Sequence, residues 1–284
     1  MYKKAIIVSL ILFVVILAGC TFDRQESGKL TVAVTIMPQE EFVRAVCGDK
    51  VNVVVLVPPG SSPETYEPTS REITAFYKSS IYFAIGMPIE EINILPVAEN
   101  MKVVKLHEEA AKVYDELYFE GEERDHHVWL SPKRVKVMVQ AIAREMSELD
   151  PDNAELYMTN SEKYIKELDE VNEKIKETLK DLKNRKIIVF HPAFGYFASD
   201  YELEMYSLEE EGKEATPKRL EELIDLAKRE NIKAIFYQSE VDASQSKAFA
   251  EEIGGKAIML EPLAKDYVNN LEKMAKLIAE ADNG

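Results

Sequence analysis

The sequence predicts an α/β protein with two lobes, each with a mostly parallel sheet flanked by helices, joined by one long rigid backbone helix. Short apolar runs rich in Val and Ile recur along the chain, as expected for strands buried on both faces of a parallel sheet. Helical patterns fall between many of these runs, which favours α/β units. One long helical stripe divides the runs into two sets.

The N-terminal segment has the pattern of a secretory signal. Lys3 and Lys4 precede an apolar run that ends in small residues before Cys20. The run is shorter than the ~20 residues of a transmembrane helix, although an uncleaved anchor helix is the alternative. The ending "LAGC" resembles a lipobox, which implies removal of residues 1–19 and lipid attachment at Cys20. Residues 20–28 would then be the lipid anchor and a polar linker.

Residues 29–149 are predicted to form the N-terminal α/β lobe. Its candidate strands are the runs LTVAVTI, NVVVLV, IYFAIG and KVVKL. Ser131 and Pro132 have the pattern of a cap and first turn before the helical segment KRVKVMVQAIAREM. Cys47 has no partner thiol once Cys20 is lipidated, so we expect a small buried apolar residue and no disulfide framework.

Residues 150–184 are predicted to form the linking backbone helix. Asp150 and Pro151 are a start signal, and no Gly or Pro follows within the segment. About 33 helical residues would span roughly 50 Å, more than a small domain. A coiled-coil dimer is the alternative interpretation of the stripe. The apolar positions, which step by three or four, are Tyr164, Leu168, Val171, Ile175, Leu179 and Leu182.

Residues 185–284 are predicted to form the C-terminal α/β lobe. Its candidate strands are the runs IIVF, EMYSL, AIFYQ and KAIML. Between the second and third runs, Thr216 can cap a helix whose first turn contains Pro217. No internal repeat between the two lobes is clear in the sequence.

The chain is strongly acidic, with 51 Asp and Glu against 35 Lys and Arg and a formal charge of −16. Loss of the signal would also remove Lys3 and Lys4. Such a polyanion is a poor nucleic-acid binder, and we expect no nucleic-acid partner. The charge suits a cationic ligand.

Four side chains with metal-binding chemistry stand out, two from each lobe. His191 directly follows the run IIVF, and Glu261 directly follows KAIML. Glu64 lies in the loop after VNVVVLV, and His127 precedes the helix cap at Ser131. Ligand sites of open parallel sheets gather at the carboxyl ends of strands, and two imidazoles with two carboxylates suit a divalent transition metal. Each also has a simpler interpretation, as a hydrogen-bonded histidine or a solvated carboxylate.

Several segments resemble the metal-binding receptors of bacterial and archaeal ABC importers for zinc and manganese, which are helical-backbone solute-binding lipoproteins. The resemblance covers nearly the whole chain after the signal. It implies a two-lobed binding protein that holds Zn²⁺ or Mn²⁺ as transported ligand in the interlobe cleft and passes it to a membrane permease. The matching segments are SSPETYEPTS, DHHVWLSP, FHPAFGYFASDYELE, EATPKRLEELIDLAKRENIKAIF and MLEPLAKDYVNNL.

By position, the resemblance implies that His127, His191 and Glu261 are metal ligands. Glu64 stands where the family usually has His, so its coordination would add a hard, charged donor, and otherwise water would take that place. The acidic residue that follows "IF" in the family is Gln238 here, with Glu240 nearby, and we assign neither to the metal.

We therefore expect an extracytoplasmic, membrane-anchored lipoprotein that acts as a monomeric metal receptor and not as an enzyme. A receptor for a chelated metal or cofactor, of the siderophore or corrinoid type, is the first alternative. An exported metal-dependent hydrolase is the second, since such an enzyme keeps one coordination position open for water.

Overall fold

A computed structural model describes residues 28–99, 101–119, 123–209 and 215–282. The predicted signal peptide, Cys20 and most of the linker lie outside these residues. The N-terminal lobe has one parallel sheet with strand order β2-β1-β3-β4. Its strands are β1 (Leu30–Val34), β2 (Val51–Val55), β3 (Ile81–Ala84) and β4 (Lys102–Lys105).

Helices flank this sheet and continue the chain towards the second lobe. Ser131 caps the fourth helix, because its hydroxyl accepts a hydrogen bond from the backbone N–H of Arg134, as the sequence predicted. A π-helical turn (Glu90–Ile94) and a 3₁₀ turn (Val128–Leu130) lie between helices. The helices are α1 (Met37–Cys47), α2 (Ser70–Phe76), α3 (Leu106–Ala111) and α4 (Pro132–Leu149).

The long helix α5 (Ala154–Leu179) connects the two sheets. It is shorter than the predicted range of 150–184, because Pro151–Asn153 form a separate 3₁₀ turn before it and the helix ends at Leu179. Its apolar stripe is buried against α1, α4 and the last helix of the chain, so the stripe belongs to the core and a coiled-coil partner is not needed to cover it. No helix of the described ranges is long and apolar enough to cross a membrane.

The C-terminal lobe has a second parallel sheet, with strand order β6-β5-β7-β8. Both sheets therefore have the same order, a repeat that the sequence did not reveal. The helix that Thr216 caps confirms the prediction for this segment. The elements are β5 (Lys186–Val189), α6 (Gly195–Asp200), β6 (Glu204–Ser207), α7 (Pro217–Glu230), β7 (Ala234–Gln238), α8 (Ser244–Glu252), β8 (Lys256–Leu260) and α9 (Tyr267–Asp282).

One apolar core runs through both lobes. It joins the inner face of the first sheet, the buried stripe of α5 and the inner face of the second sheet. Cys47 is fully buried in this core, which confirms its predicted role as a small apolar residue. The exact domain boundaries stay a prediction.

Hydrogen bonds fix the lobes to one another beside this core. The indole Nε1 of Trp129 donates to the carbonyl of Pro262 at 2.9 Å, and the Tyr267 hydroxyl donates to the carbonyl of Trp129 at 2.6 Å. Arg134 in α4 donates to the Asp200 carboxylate at 3.0 Å. These contacts hold the segment after His127 against the C-terminal lobe.

Candidate metal centre

Three of the four predicted ligands come together between the lobes. Glu64 lies in the loop after β2, His127 precedes the 3₁₀ turn Val128–Leu130, and His191 lies two residues after β5. One ligand atom from each lies within 4.8 Å of the other two. The cluster thus unites side chains from both lobes, two from loops of the N-terminal lobe and one from the segment just after β5.

The ligand atoms face one another. The Nε2 atoms of His127 and His191 are 3.4 Å apart, and their rings are inclined by 73°. Glu64 Oε1 lies 3.0 Å from His191 Nε2 and 3.7 Å from His127 Nε2. Two imidazole nitrogens and one carboxylate oxygen therefore converge on a single point, the donor set of a divalent transition metal.

Asp125 fixes the orientation of the His127 ring. Its Oδ1 lies 2.8 Å from Nδ1 of His127 and also accepts the backbone N–H of that residue at 2.9 Å. Gly195 at the start of α6 lies against the Asp125 carboxylate, and a Cβ at position 195 would collide with it. With Nδ1 bound to the carboxylate, Nε2 is the nitrogen left for a metal.

Glu209 has the same role for His191, since its Oε2 lies 2.9 Å from Nδ1. Burial disfavours the charged ring of His191, but the hydrogen bonds to Glu209 and Glu64 outweigh burial and raise its pKa to about 9. Burial alone would raise the pKa of Glu64, but the hydrogen bond and charge of His191 together with the charge of His127 lower it. Glu64 and His191 are thus paired as carboxylate and imidazolium, at 3.0 Å between Oε1 and Nε2.

The cluster lines a small inner cavity of about 10 Å³. Both histidines are buried, and the ring of Trp129 lies 5.2 Å from that of His127. The remaining lining residues come from the Glu64 loop and from the ends of the C-terminal strands, and they are Ser62, Pro63, Ala193, Gln238, Glu240, Pro262 and Leu263.

Glu261 is not part of the cluster. Its Oε2 is bound to Lys273 Nζ at 2.6 Å, and its backbone carbonyl accepts a hydrogen bond from Asn270. Its predicted role as a ligand stays a prediction. His126, the neighbour of His127, is also outside the cluster, and its Nε2 faces Glu123 at 3.4 Å.

The sequence alone does not identify the carboxylates of Asp125 and Glu209 behind the histidines. Asp125 lies two positions before His127, a spacing that offered a signal for its role. Glu209 lies 18 positions after His191, and nothing in the sequence connects the two. Gln238 ends β7 and Glu240 lies two positions later, and both line the cavity of the cluster, although the sequence analysis assigned neither to the metal.

The fold and the cluster define a class of protein: a two-lobed α/β protein with a rigid connecting helix and a His and carboxylate cluster between the lobes. The chain belongs to the family described as zinc-uptake complex component A, periplasmic (ZnuA), whose model matches residues 32–281. The resemblance found in the sequence is thereby confirmed.

Two proteins with similar sequences are named for zinc binding or zinc uptake. The zinc-binding lipoprotein AdcA of Streptococcus pneumoniae R6 is 26% identical over 308 aligned positions, covering 98% of this chain and 61% of AdcA. The high-affinity zinc uptake system protein ZnuA of Bacillus subtilis 168 is 29% identical over 272 positions, covering 90% of this chain and 82% of that protein. This chain therefore spans about three fifths of the length of AdcA.

Solved structures share the fold. A crystal structure of ZnuA matches with a TM-score of 0.84 and 37% identity, covering 89% of this chain and 99% of that chain. The periplasmic zinc binding protein TroA of Treponema pallidum matches with a TM-score of 0.83, covering 90% and 99% of the two chains. At 22% identity, the TroA match supports the architecture alone.

Proposed function

We propose that this protein is an extracytoplasmic receptor that binds a divalent transition metal in the interlobe cleft and delivers it to an ABC importer. The convergence of Glu64, His127 and His191 from two lobes carries the proposal. The carboxylates of Asp125 and Glu209 support it, because metal-binding histidines usually donate their second N–H to such a group.

Zinc is the proposed ligand. Two imidazole nitrogens and one carboxylate oxygen suit Zn²⁺, and AdcA and the Bacillus subtilis ZnuA are both named for zinc. Manganese accepts the same donors, but most nitrogen and oxygen sites bind it less tightly than zinc. We therefore expect both ions to compete for one site, with zinc preferred.

The fourth coordination position is proposed for Glu261 or for water. Coordination by Glu261 requires its ion pair with Lys273 to break. Water at this position requires no such change. Substitution of Glu261 by Gln distinguishes the two. Loss of a metal ligand should weaken zinc binding many-fold, whereas loss of a carboxylate that contacts neither the metal nor a histidine of the cluster should change it by a few fold at most.

The size of the inner cavity favours a single ion over a chelated metal or a cofactor. A volume of about 10 Å³ corresponds to roughly one water-sized occupant. A siderophore or a corrinoid would have to displace the side chains that form the cluster.

The same cavity favours a receptor over a hydrolase. Three protein ligands with an open position also occur in catalytic zinc sites. A hydrolase, however, must place a substrate beside the metal-bound water, and this cavity has no room for one. Turnover of ester or phosphoester substrates that vanishes on chelation would support the enzyme instead.

We further propose that the chain is a monomer tethered to the cell membrane through lipid on Cys20. The lipobox-like LAGC ending supports this tether, and AdcA is named a lipoprotein. Incorporation of labelled fatty acid into the wild type, and its loss in Cys20→Ala, is the expected result.

The metal site is tested by competitive binding of Zn²⁺ and Mn²⁺ to chelator-stripped protein. We expect one ion per chain, with zinc displacing manganese. Glu64→Ala should weaken both ions, and manganese more than zinc, because a hard oxygen donor is lost. Unchanged binding in Glu64→Ala would remove Glu64 from the site, and binding of neither ion to the wild type would overturn the receptor proposal.

A further inference from the structure

We propose that Glu240, assisted by Gln238, forms a loading position through which the ion passes between an outer cavity and the cluster of Glu64, His127 and His191. This inference rests on the proposed function and deepens it. It assigns roles to two residues that the proposed ligand set leaves unused.

Two cavities meet at Glu240. The inner cavity contains the cluster, and a larger cavity of about 250 Å³ opens beside it. Glu240 and Leu263 line both cavities. The outer cavity lies between the lobes, with Val57, Gly60 and Ser61 on one side and Glu240 and Glu261 on the other. A cation that enters from the outer cavity therefore meets Glu240 before it reaches the histidines.

Two buried oxygens near this junction have no hydrogen-bond donor among the described residues. Gln238 is only 8% exposed and lines the inner cavity, yet its Oε1 accepts no hydrogen bond from any residue that the structure describes. One oxygen of Glu240 accepts from the Ser239 hydroxyl at 2.7 Å, whereas its Oε2 is buried and, among the described residues, has no donor. Buried acceptors without donors are rare, and a passing cation satisfies both.

Neighbouring carboxylates differ in this respect. Glu261, which shares the outer cavity, is bound to Lys273, and Glu40 is bound to Lys265 at 3.1 Å. Glu240 forms no ion pair with a cationic side chain of the described residues, so its charge is available to an ion. Glu240 is also not a member of the group formed by Glu64, His127 and His191, whose ligand atoms lie within 4.8 Å of one another. It is therefore placed to pass the ion on and not to retain it.

The proposed role is a kinetic one. An incoming ion must exchange its water for protein ligands stepwise, and a carboxylate and an amide oxygen can replace part of the water before the histidines bind. The same oxygens assist the ion on its way out. Loss of the loading position therefore slows association and dissociation together and leaves the dissociation constant nearly unchanged.

The sole tryptophan of the chain, Trp129, lies beside His127 and offers the signal for a stopped-flow test with ZnCl₂. We expect Glu240→Gln to slow zinc association by about tenfold or more, the range over which charged clefts accelerate binding. Release into excess EDTA should slow by a similar factor. The matched control is Glu252→Gln, which removes one exposed carboxylate from the same lobe and should leave both rates unchanged.

Gln238→Leu provides a second variant if Glu240→Gln does not fold, and it should slow both rates in the same direction. In the double variant Glu240→Gln/Gln238→Glu, a carboxylate returns one strand position earlier, and the association rate should partly recover. Association in Glu240→Gln equal to that in Glu252→Gln would overturn the proposal. Faster release with unchanged association would also overturn it, because Glu240 would then be a retained ligand.

Zinc binding by the wild type distinguishes a failure of this proposal from a failure of the receptor function. If the wild type binds zinc, but zinc association and release in Glu240→Gln are as fast as in the wild type, the proposed loading position is wrong and the receptor function stands. If the wild type binds no zinc, the receptor function itself fails.

Discussion

Each histidine of the cluster depends on one carboxylate behind it. Asp125 binds both the ring and the backbone N–H of His127, and Gly195 leaves the space that this arrangement needs. The pair therefore sets both the position and the tautomer of the ring. Glu209 acts on the His191 ring from the other lobe.

We expect Asp125→Ala to weaken zinc binding by about 10- to 100-fold, the usual effect of losing such an outer partner. The ring of His127 would lose its fixed orientation and some of its basicity. Competition against a chromogenic chelator measures the change. Asp49→Ala, at an exposed position, is the control and should bind as the wild type does. Equal affinities in the two variants would contradict the role of Asp125.

Zinc affinity should increase with pH up to about 9. The metal-free His191 has a pKa of about 9, so its ring is protonated at neutral pH, whereas only the neutral ring binds a metal. Zinc must therefore displace about one proton from this ring at pH 7.5, and affinity changes by up to about tenfold per pH unit. Calorimetry in two buffers with different ionisation enthalpies counts the protons released.

Glu209→Gln is the matched control for proton release. The variant keeps the size of the side chain but removes the charge that favours the protonated His191 ring. It should release fewer protons than the wild type at the same pH. Equal release from both proteins would show that Glu209 does not hold the ring in its charged form.

At the scale of single elements, the helix α5 is the structural link between the sheets. Its buried stripe contacts α1, α4 and α9, while its opposite face is exposed and rich in Lys and Glu. Helices of this kind owe most of their stability to the buried face and little to intrinsic propensity. The stripe should therefore determine the stability of the whole molecule.

We expect Leu168→Ala to lower the free energy of unfolding by about 2–5 kcal/mol, because it leaves a cavity in a fully buried position. Urea denaturation measures the loss. Lys166→Ala on the exposed face should change stability by less than about 0.5 kcal/mol. Similar losses of stability in both variants would contradict the conclusion that the buried face of α5 provides most of its contribution to stability.

The strands and the long helix could be predicted from the sequence because their signals are local. Short apolar runs, most of them rich in Val or Ile, located the eight strands of the described residues, and the three- and four-residue spacing located α5. The order of strands within each sheet was not readable, because it depends on contacts between distant segments. The start of α5 was placed too early because Pro151 is compatible with both a helix and a 3₁₀ turn.

The site was only partly readable. Strand ends and the family resemblance selected Glu64, His127 and His191, which the structure brings together. The direction of a side chain after a strand end depends on its tertiary partners, and Glu261 pairs with Lys273 in the structure, so its role as a ligand stays a prediction. Gln238 satisfied the same criterion but carries no metal-binding signature in the sequence.

At the scale of the whole molecule, the lobes are fixed to each other. The core is continuous from one sheet to the other, and hydrogen bonds join Trp129 to Pro262 and Tyr267. Arg134 and Asp200 add a further ion pair across the interface. Such an interface resists the large hinge closure seen in many two-lobed proteins.

We therefore expect zinc to leave the radius of gyration unchanged within the error of small-angle scattering. Hydrogen exchange should slow in the Glu64 loop, because the ion would bind this loop to both histidines. Exchange in α5 should be unaffected and serves as the internal control. A clear decrease in the radius of gyration on zinc addition would show that the lobes close as rigid bodies.

The fixed interface has a consequence for unloading. Glu64 is the most exposed member of the cluster. Its loop contains a short turn in which the Ser62 hydroxyl accepts a hydrogen bond from the backbone N–H of Glu64. Both histidines are instead held by hydrogen bonds to the carboxylates of Asp125 and Glu209. An importer that binds this loop would need to displace only the Glu64 carboxylate to release the ion. The change would be confined to a few residues, and both lobes would stay in place.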